Sequence, residues 1–312
     1  MTMNFEEIKK NHLNIWTLIK CILDDYPEHR RYIEEGILSH GKDDLIVLDR
    51  LAKSVLEIAN GNSVTLKNLA SGYRWMCESF TKEELYFRRN GTYRCKSLNQ
   101  AIEETYSNKE IMKKYMDGLL VSQVLWSNHF RVFLYFTSRF LPKLPNHFNY
   151  LEIGCGHGLY ICEAARHKNS KKLNGWDISS QSIMHTSRVL EQFNLNKKVT
   201  LEQQNIYDKR PDNVFDALVL GEILEHLETP DIALKNLANQ LRSGGMVFIN
   251  FPINSPAPDH IYLLKTIEEV VSLVRNAGYK VLETEAFPMT GYNLERAISS
   301  KVTISVVVIA EK

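Results

Sequence analysis

The chain has 312 residues, 44% of them hydrophobic and 24% charged, with a formal net charge of +1. That length suits one large or two ordinary domains, and the near-neutral balance creates no global field toward nucleic acid or anionic membrane. No apolar run reaches the ~18 residues of a membrane span, the acidic start MTMNFEEIKKNHLNIW does not read as a secretory leader, and five scattered cysteines without a CxxC pair indicate neither a disulfide framework nor a thiolate zinc site, so a cytoplasmic location is expected.

Residues 1–145 read as a mainly helical domain. Apolar residues recur at three- and four-residue spacing in Ile8–Ile22, Leu45–Ile58 and Ile111–Phe140. Within the last of these, Leu119–Phe130 reads as one helix carrying polar Asn128 and His129 among aromatics. Asn90-Gly91, set between two alternating stretches, predicts a β-hairpin closed by a two-residue turn. The apolar helical faces exceed what a small domain buries, so this block is expected to act as a lid and to offer a homodimer contact. Leu141-Pro-Lys-Leu-Pro-Asn-His ends the helical run, since its prolines cannot continue it.

Residues 146–312 alternate short apolar runs with helical stretches. Strands are predicted at Asn149–Ile153, Lys172–Trp176, Val199–Glu202, Phe215–Leu220, Gly245–Phe251, Tyr279–Phe287 and Val302–Ala310. Helices are predicted to begin near Gly158, Ser180, Glu222 and Thr266. This alternation predicts an α/β fold, a parallel sheet with helices on both faces. The last two strands follow one another with no clear helix between them, which predicts an antiparallel ending.

Leu151-Glu-Ile-Gly-Cys-Gly-His-Gly-Leu-Tyr160 carries the most information. An apolar strand enters Gly154, Gly156 and Gly158, and a helix follows. Glycines there permit a tight turn and let backbone N–H groups approach a ligand. Asp177 ends the second strand 23 residues after Gly154, near the spacing of about 20 for an acid that holds a ribose diol. Gln204-Asn205-Ile206 follows the third strand, Asp216-Ala-Leu-Val-Leu220-Gly221-Glu222-Ile-Leu-Glu225-His226 forms the fourth, and Leu241-Arg-Ser-Gly-Gly precedes the fifth.

These five motifs, in this order over some 160 residues, resemble the class I S-adenosylmethionine-dependent methyltransferases, with a core like that of the ubiquinone-pathway enzymes. Two positions depart from the family pattern: Asn205 stands where an acid is common, and Ser243 replaces the usual proline. The resemblance implies a Rossmann-like, seven-stranded, doubly wound sheet and S-adenosylmethionine as cofactor. It implies contacts from Glu152, Gly154, Cys155, Gly156, Gly158, Tyr160, Asp177, Ile178, Asn205, Ile206 and the backbone of Leu220 and Gly221. The Tyr160 ring either faces the sulfonium in a cation–π contact or packs beneath the cap, while Trp176 reads as core. A helical block with a hairpin also resembles the winged-helix domain that precedes many O-methyltransferase cores; a helical cap is the other reading.

Glu222, Glu225 and His226, spaced for one helix surface, with His260 from the Pro-rich loop Asn254–His260, suit a divalent metal. That set resembles the metal shell of small-RNA 3′-end methyltransferases. Alternatively His226 is a general base, or the group lines the pocket. Charged patches interleaved with aromatics are missing except around Arg88-Arg89, so a small-molecule substrate is expected and nucleic acid is not. Besides methylation of an RNA 3′ end, which the resemblance to the small-RNA enzymes implies, three functions stay open. The first is methyl transfer to oxygen, nitrogen or carbon, with His226, Tyr160 and Asn128 as catalytic candidates. The second uses the cofactor's aminocarboxypropyl group, as in a cyclase forming azetidine-2-carboxylate, where Asn128 and Tyr160 would hold the amine and the sulfonium. The third is a cofactor-sensing DNA-binding regulator, which the charge argues against.

Overall fold

The computed structural model describes residues 5–208 and 215–312; the first four residues, part of the stretch read for a leader, lie outside them. Every described element before Phe148 is helical: α1 (Phe5–Asn11), α2 (Leu13–Asp25), α3 (Arg30–Leu38), α4 (Lys42–Gly61), α5 (Leu66–Asn90), α6 (Leu98–Ala101), α7 (Lys109–Leu125) and α8 (Ser127–Tyr135). Side chains close the exposed amides at several starts. Thr65 accepts from Asn68 N–H at α5, and Asn108 accepts from Glu110 and Ile111 at α7, each cap stabilising by about 1 kcal/mol.

The predicted hairpin is absent. The alternating stretch before Asn90 is the last part of α5, and Gly91 is its left-handed cap at φ 68°, donating to the Phe87 carbonyl. Asn-Gly suits a helix C-terminus as well as a type I′ turn, because both need positive φ. With the hairpin goes the winged-helix reading. The single helix predicted through Leu119–Phe130 is also interrupted: Trp126 is extended (φ −100°, ψ 120°) between α7 and α8. The apolar faces that prompted a homodimer contact turn inward. Leu18 and Ile22 of α2, Leu48 and Val55 of α4, and Tyr73 and Met76 of α5 join one buried cluster.

From Phe148 the chain builds a mixed sheet of β1 (Phe148–Ile153), β2 (Ser170–Asp177), β3 (Val199–Gln203), β4 (Phe215–Gly221), β5 (Leu241–Ile253), β6 (Lys280–Pro288) and β7 (Ile304–Glu311). Its order is β3-β2-β1-β4-β5-β7-β6. The first five strands run parallel, and β7 enters antiparallel between β5 and β6. The crossovers carry α9 (Leu159–Arg166), α10 (Ser180–Gln192), α11 (Pro230–Ala238) and α12 (Ile267–Asn276). A short α13 (Leu294–Ser300) separates β6 from β7, where no helix was predicted. Its seven residues are too few for a periodic signal, though Asn293 caps it.

Strand periodicity divides the core in two. Tyr150, Val219, Phe248, Val307 and Ile309 face one cluster, shared with the N-terminal helices, α9 and α10. Leu151, Leu218, Leu220, Ile249 and Val306 face the other, under α11, α12 and α13. The N-terminal helices are thus a layer on one face of the sheet. The helix predicted to begin near Glu222 does not form there. Glu222 takes positive φ (57°), Leu224–His226 is a single 3-10 turn, and α11 starts only at Pro230.

Candidate active site

β1 ends at Ile153, and the chain turns through Gly154, Gly156 and Gly158, all at positive φ, into α9. Gly154 N–H donates to the Trp176 carbonyl at 2.6 Å, tying the turn to β2, and Thr186 of α10 donates to the Gly156 carbonyl at 3.0 Å. At the end of β2 the Asp177 carboxylate accepts from Ser179 N–H at 2.8 Å. Burial pushes its pKa up to about 6.

This turn opens into a cavity of about 650 Å³ between the sheet's C-terminal edge and the N-terminal helices. Ten of the residues predicted for the cofactor line it: Glu152, Gly154, Cys155, Gly156, Tyr160, Asp177, Ile178, Asn205, Ile206 and Gly221. The side chain or added Cβ of the other two points elsewhere, which leaves the backbone contact expected of Leu220 untouched. A Cβ on Gly158 would meet Thr186 and Val189 of α10, so this glycine serves helix packing. Leu220 lies in the cluster on the opposite face of the sheet. Asn205 uses its side-chain oxygen to accept from Tyr207 N–H at 3.0 Å, which shapes the turn beside the pocket. The Tyr160 ring packs against Phe133 and Phe136 yet borders the cavity, and Trp176 is both core and wall. Asn128 and His129 also line the cavity, with Asn128 Nδ2 donating to Ser305 Oγ on β7 at 3.0 Å.

Three of the four proposed metal ligands converge. The loop after β5 folds back on the turn at Leu224–His226, with Ile261 and Tyr262 N–H both donating to the Glu225 carbonyl. Glu225 Oε1 lies 3.7 Å from His226 Nε2 and 4.0 Å from His260 Nε2, and one ligand atom from each of the three residues falls within 4.8 Å of the others. Glu222 does not join them; its carboxylate accepts from Asn250 Nδ2, and the left-handed backbone turns it away from the 3-10 turn.

Both imidazoles are oriented through Nδ1. His260 Nδ1 donates to the Ser255 carbonyl at 2.6 Å, and His226 Nδ1 faces the Asp259 carbonyl at 3.1 Å. Each Nε2 lone pair is thereby left toward Glu225, whose two buried oxygens have no hydrogen-bond partner. Burial, reinforced by neighbouring Glu222, holds the Glu225 carboxyl well above its usual range, while burial lowers His260 to about 4 and keeps it neutral.

Sequence reasoning missed the residues behind this group. Asp259, 1% exposed, accepts from Tyr115 at 2.8 Å and Tyr106 at 3.0 Å. Tyr93 accepts from Ser255 N–H at 2.9 Å. Asp259 adjoins His260 and was within reach of a motif reading. The tyrosines lie more than 140 positions earlier and leave no local signal.

The lining fits S-adenosylmethionine. An added Cβ would meet nothing within 4 Å at Gly221 and nothing nearer than 3.8 Å at Gly156, so backbone lies open to a ligand at both places. Asp177 stands where a ribose diol would be held, and the Glu152 and Glu222 carboxyls, raised to about 8 by burial, line the recess where a sulfonium and an ammonium would favour their ionised forms. A doubly wound sheet with a glycine turn, a ribose acid and a recess at its C-terminal edge defines a nucleoside-binding fold.

Comparison with known proteins narrows this. Residues 151–247 match the family described as a methyltransferase domain. A tRNA U34 carboxymethyltransferase of Campylobacter hominis is 31% identical over 160 residues, covering 46% of this chain and 55% of that protein. A ubiquinone biosynthesis O-methyltransferase of Coxiella burnetii is 30% identical over 124 residues, covering 40% and 51%. The chain thus spans about half the length of the curated relatives it matches. An O-methyltransferase family protein from Burkholderia thailandensis superposes with a TM-score of 0.55 at 13% identity, covering 79% of this chain and 71% of that one. A structure described as PigF with SAH does so at 0.53 and 15% identity, covering 80% and 74%. At these identities the likeness is one of fold. The α/β part of the chain thus has the fold of the class I S-adenosylmethionine-dependent methyltransferases, and most of it matches a methyltransferase domain model.

Proposed function

We propose that the chain moves a methyl group from S-adenosylmethionine to a small molecule without an anionic group, held in the cavity between the helical layer and the sheet. The observation that carries this is the charge of the lining. Arg88 is its one lysine or arginine among the described residues, and it already pairs with Glu84 and donates to the Ser300 carbonyl at 2.7 Å. A phosphate-bearing acceptor or a carboxymethyl donor would bring negative charge into a recess lined by acids, with no free lysine or arginine among the described lining residues to meet it.

S-adenosylmethionine supplies an electrophilic methyl on a sulfonium. The chain's residues would hold it and exclude water, which is catalysis by proximity. His226 Nε2 would accept the proton shed by an attacking hydroxyl or amine.

A second reading rests on the Glu225–His226–His260 group. Two imidazole Nε2 atoms converge on one buried carboxyl group, a donor set that a divalent cation would bind in place of the proton that burial keeps on Glu225. Backbone carbonyls on the far nitrogens are the usual support of metal-bound histidines. In that reading the ion would orient the acceptor and lower its pKa.

Identifying the sulfur product after incubation with the cofactor tests the main reading. S-adenosylhomocysteine formed only when an acceptor is added supports it. Methylthioadenosine released from the cofactor alone would replace it with use of the aminocarboxypropyl group.

A further inference from the structure

We infer that the N-terminal helical layer holds both imidazoles of the site in their Nδ1–H tautomers: Tyr106 and Tyr115 act on His226 through Asp259, and Tyr93 acts on His260 through Ser255. The inference concerns the orientation of the two rings and does not depend on what chemistry Nε2 performs.

Asp259 lies in the loop after β5, almost fully buried. A buried carboxylate is costly unless strong donors reach it. Here Tyr115 donates to Oδ1 at 2.8 Å and Tyr106 to Oδ2 at 3.0 Å, so each oxygen holds a phenolic hydrogen. Both tyrosines belong to the helical layer, Tyr115 on α7 and Tyr106 in the turn before it.

The consequence falls on His226. Its Nδ1 is 3.1 Å from the Asp259 main-chain carbonyl, 3.3 Å from the Tyr106 oxygen and 3.5 Å from Asp259 Oδ2. Tyr106 has spent its hydrogen on Asp259, so its oxygen can only accept from the ring. Three acceptors around one nitrogen place the imidazole hydrogen there and leave Nε2 bare. Were the tyrosine hydroxyls missing, Asp259 would lose both of its side-chain donors, and the main-chain carbonyl that fixes the Nδ1 hydrogen would no longer be held against the ring. The ring would then be free to take either tautomer. The tyrosines thus keep His226 in one.

A parallel linkage serves His260. Tyr93, 1% exposed, accepts from Ser255 N–H at 2.9 Å, and the Ser255 carbonyl accepts from His260 Nδ1 at 2.6 Å. The Tyr93 ring also meets the His260 ring edge to face, with centroids 5.9 Å apart. The loop that carries both Asp259 and His260 is therefore gripped by three phenols from the helical layer.

Nitrogen-15 NMR of histidine-labelled full-length protein, without cofactor or metal, reads this directly. In the parent, His226 and His260 should each show a protonated Nδ1 and a bare Nε2. Tyr106→Phe with Tyr115→Phe keeps both rings but removes both hydroxyls. His226 should then lose the bare-Nε2 signature, and His260 should keep it. Tyr93→Phe should disturb His260 and leave His226 unchanged, which preserves the test if the double variant folds poorly. Parent-like Nδ1 and Nε2 signals for both rings in these variants, or a parent with hydrogen on Nε2, would overturn the inference. Because no turnover is measured, a failure here is distinct from a failure of the proposed methyl transfer.

Discussion

The rings of His226 and His260 meet edge to face, with centroids 4.8 Å apart and an interplanar angle of 88°. Both Nε2 atoms approach Glu225 Oε1, at 3.7 and 4.0 Å. If this group takes a divalent ion, zinc or manganese titrated into the protein should bind at a stoichiometry of one by calorimetry. His226→Ala and His260→Ala should each abolish that binding, and Glu222→Gln should retain it. Absence of binding heat with the parent would remove the metal reading and leave His226 as the base. In that case His226→Ala should slow turnover by roughly 10²-fold.

Asp177 should govern cofactor affinity. Asp177→Ala removes charge-assisted hydrogen bonds of about 1.5–3 kcal/mol, so the dissociation constant for S-adenosylmethionine should rise roughly 10- to 100-fold. In the unliganded protein burial raises the Asp177 pKa to about 6. The ribose hydroxyls need the ionised form, so affinity should be constant above pH 6 and fall as the pH drops below it. Calorimetry across this range checks the claim; a flat profile would mean that Asp177 does not hold the ribose.

The glycines facing the cavity should be intolerant for a steric reason. Gly156 combines positive φ (48°) with an open outlook, so Gly156→Val both strains the turn and fills the ligand's path. Gly221→Leu should cost little in stability, because its Cβ meets no protein atom within 4 Å, yet should abolish cofactor binding. A melting temperature near the parent's with no binding of S-adenosylmethionine is the expected result for Gly221→Leu, and parent-like affinity would exclude this wall from the site.

The helical layer should be indispensable to solubility. A fragment beginning at Pro145 would bare Phe248, Val307, Ile309 and Tyr150, now covered in the shared cluster. Such a fragment should aggregate, as large exposed apolar surfaces do. A soluble, active fragment would refute the lid role. Light scattering of the parent tests the homodimer separately, and a one-chain mass would dispose of it.

The sheet was legible because it rests on local signals. The short, continuously buried runs Tyr150–Ile153 and Ala217–Leu220, and the glycines at 154, 156 and 158, are short-range features that tertiary packing did not override. Errors arose where one local signal serves two structures. Asn90-Gly91 satisfies a helix cap as readily as a hairpin turn. Glu222–His226 has helical spacing, but left-handed Glu222 breaks the run and brings only Glu225 and His226 to His260. What lay beyond sequence was the convergence of Tyr93, Tyr106 and Tyr115 on the loop at Ser255–His260. That grouping depends on how α5 and α7 pack over the sheet, and no periodicity encodes it.

The position of β7 bears on how the molecule is made. This strand is the last element in chain order, yet it lies inside the sheet, bonded to β5 on one side and β6 on the other. During synthesis β5 therefore presents an unpaired edge until Ile304–Glu311 has left the ribosome. The two-sided pairing joins residues far apart in sequence, which slows folding. The nascent chain is thus vulnerable to edge-to-edge aggregation until β7 has emerged and paired.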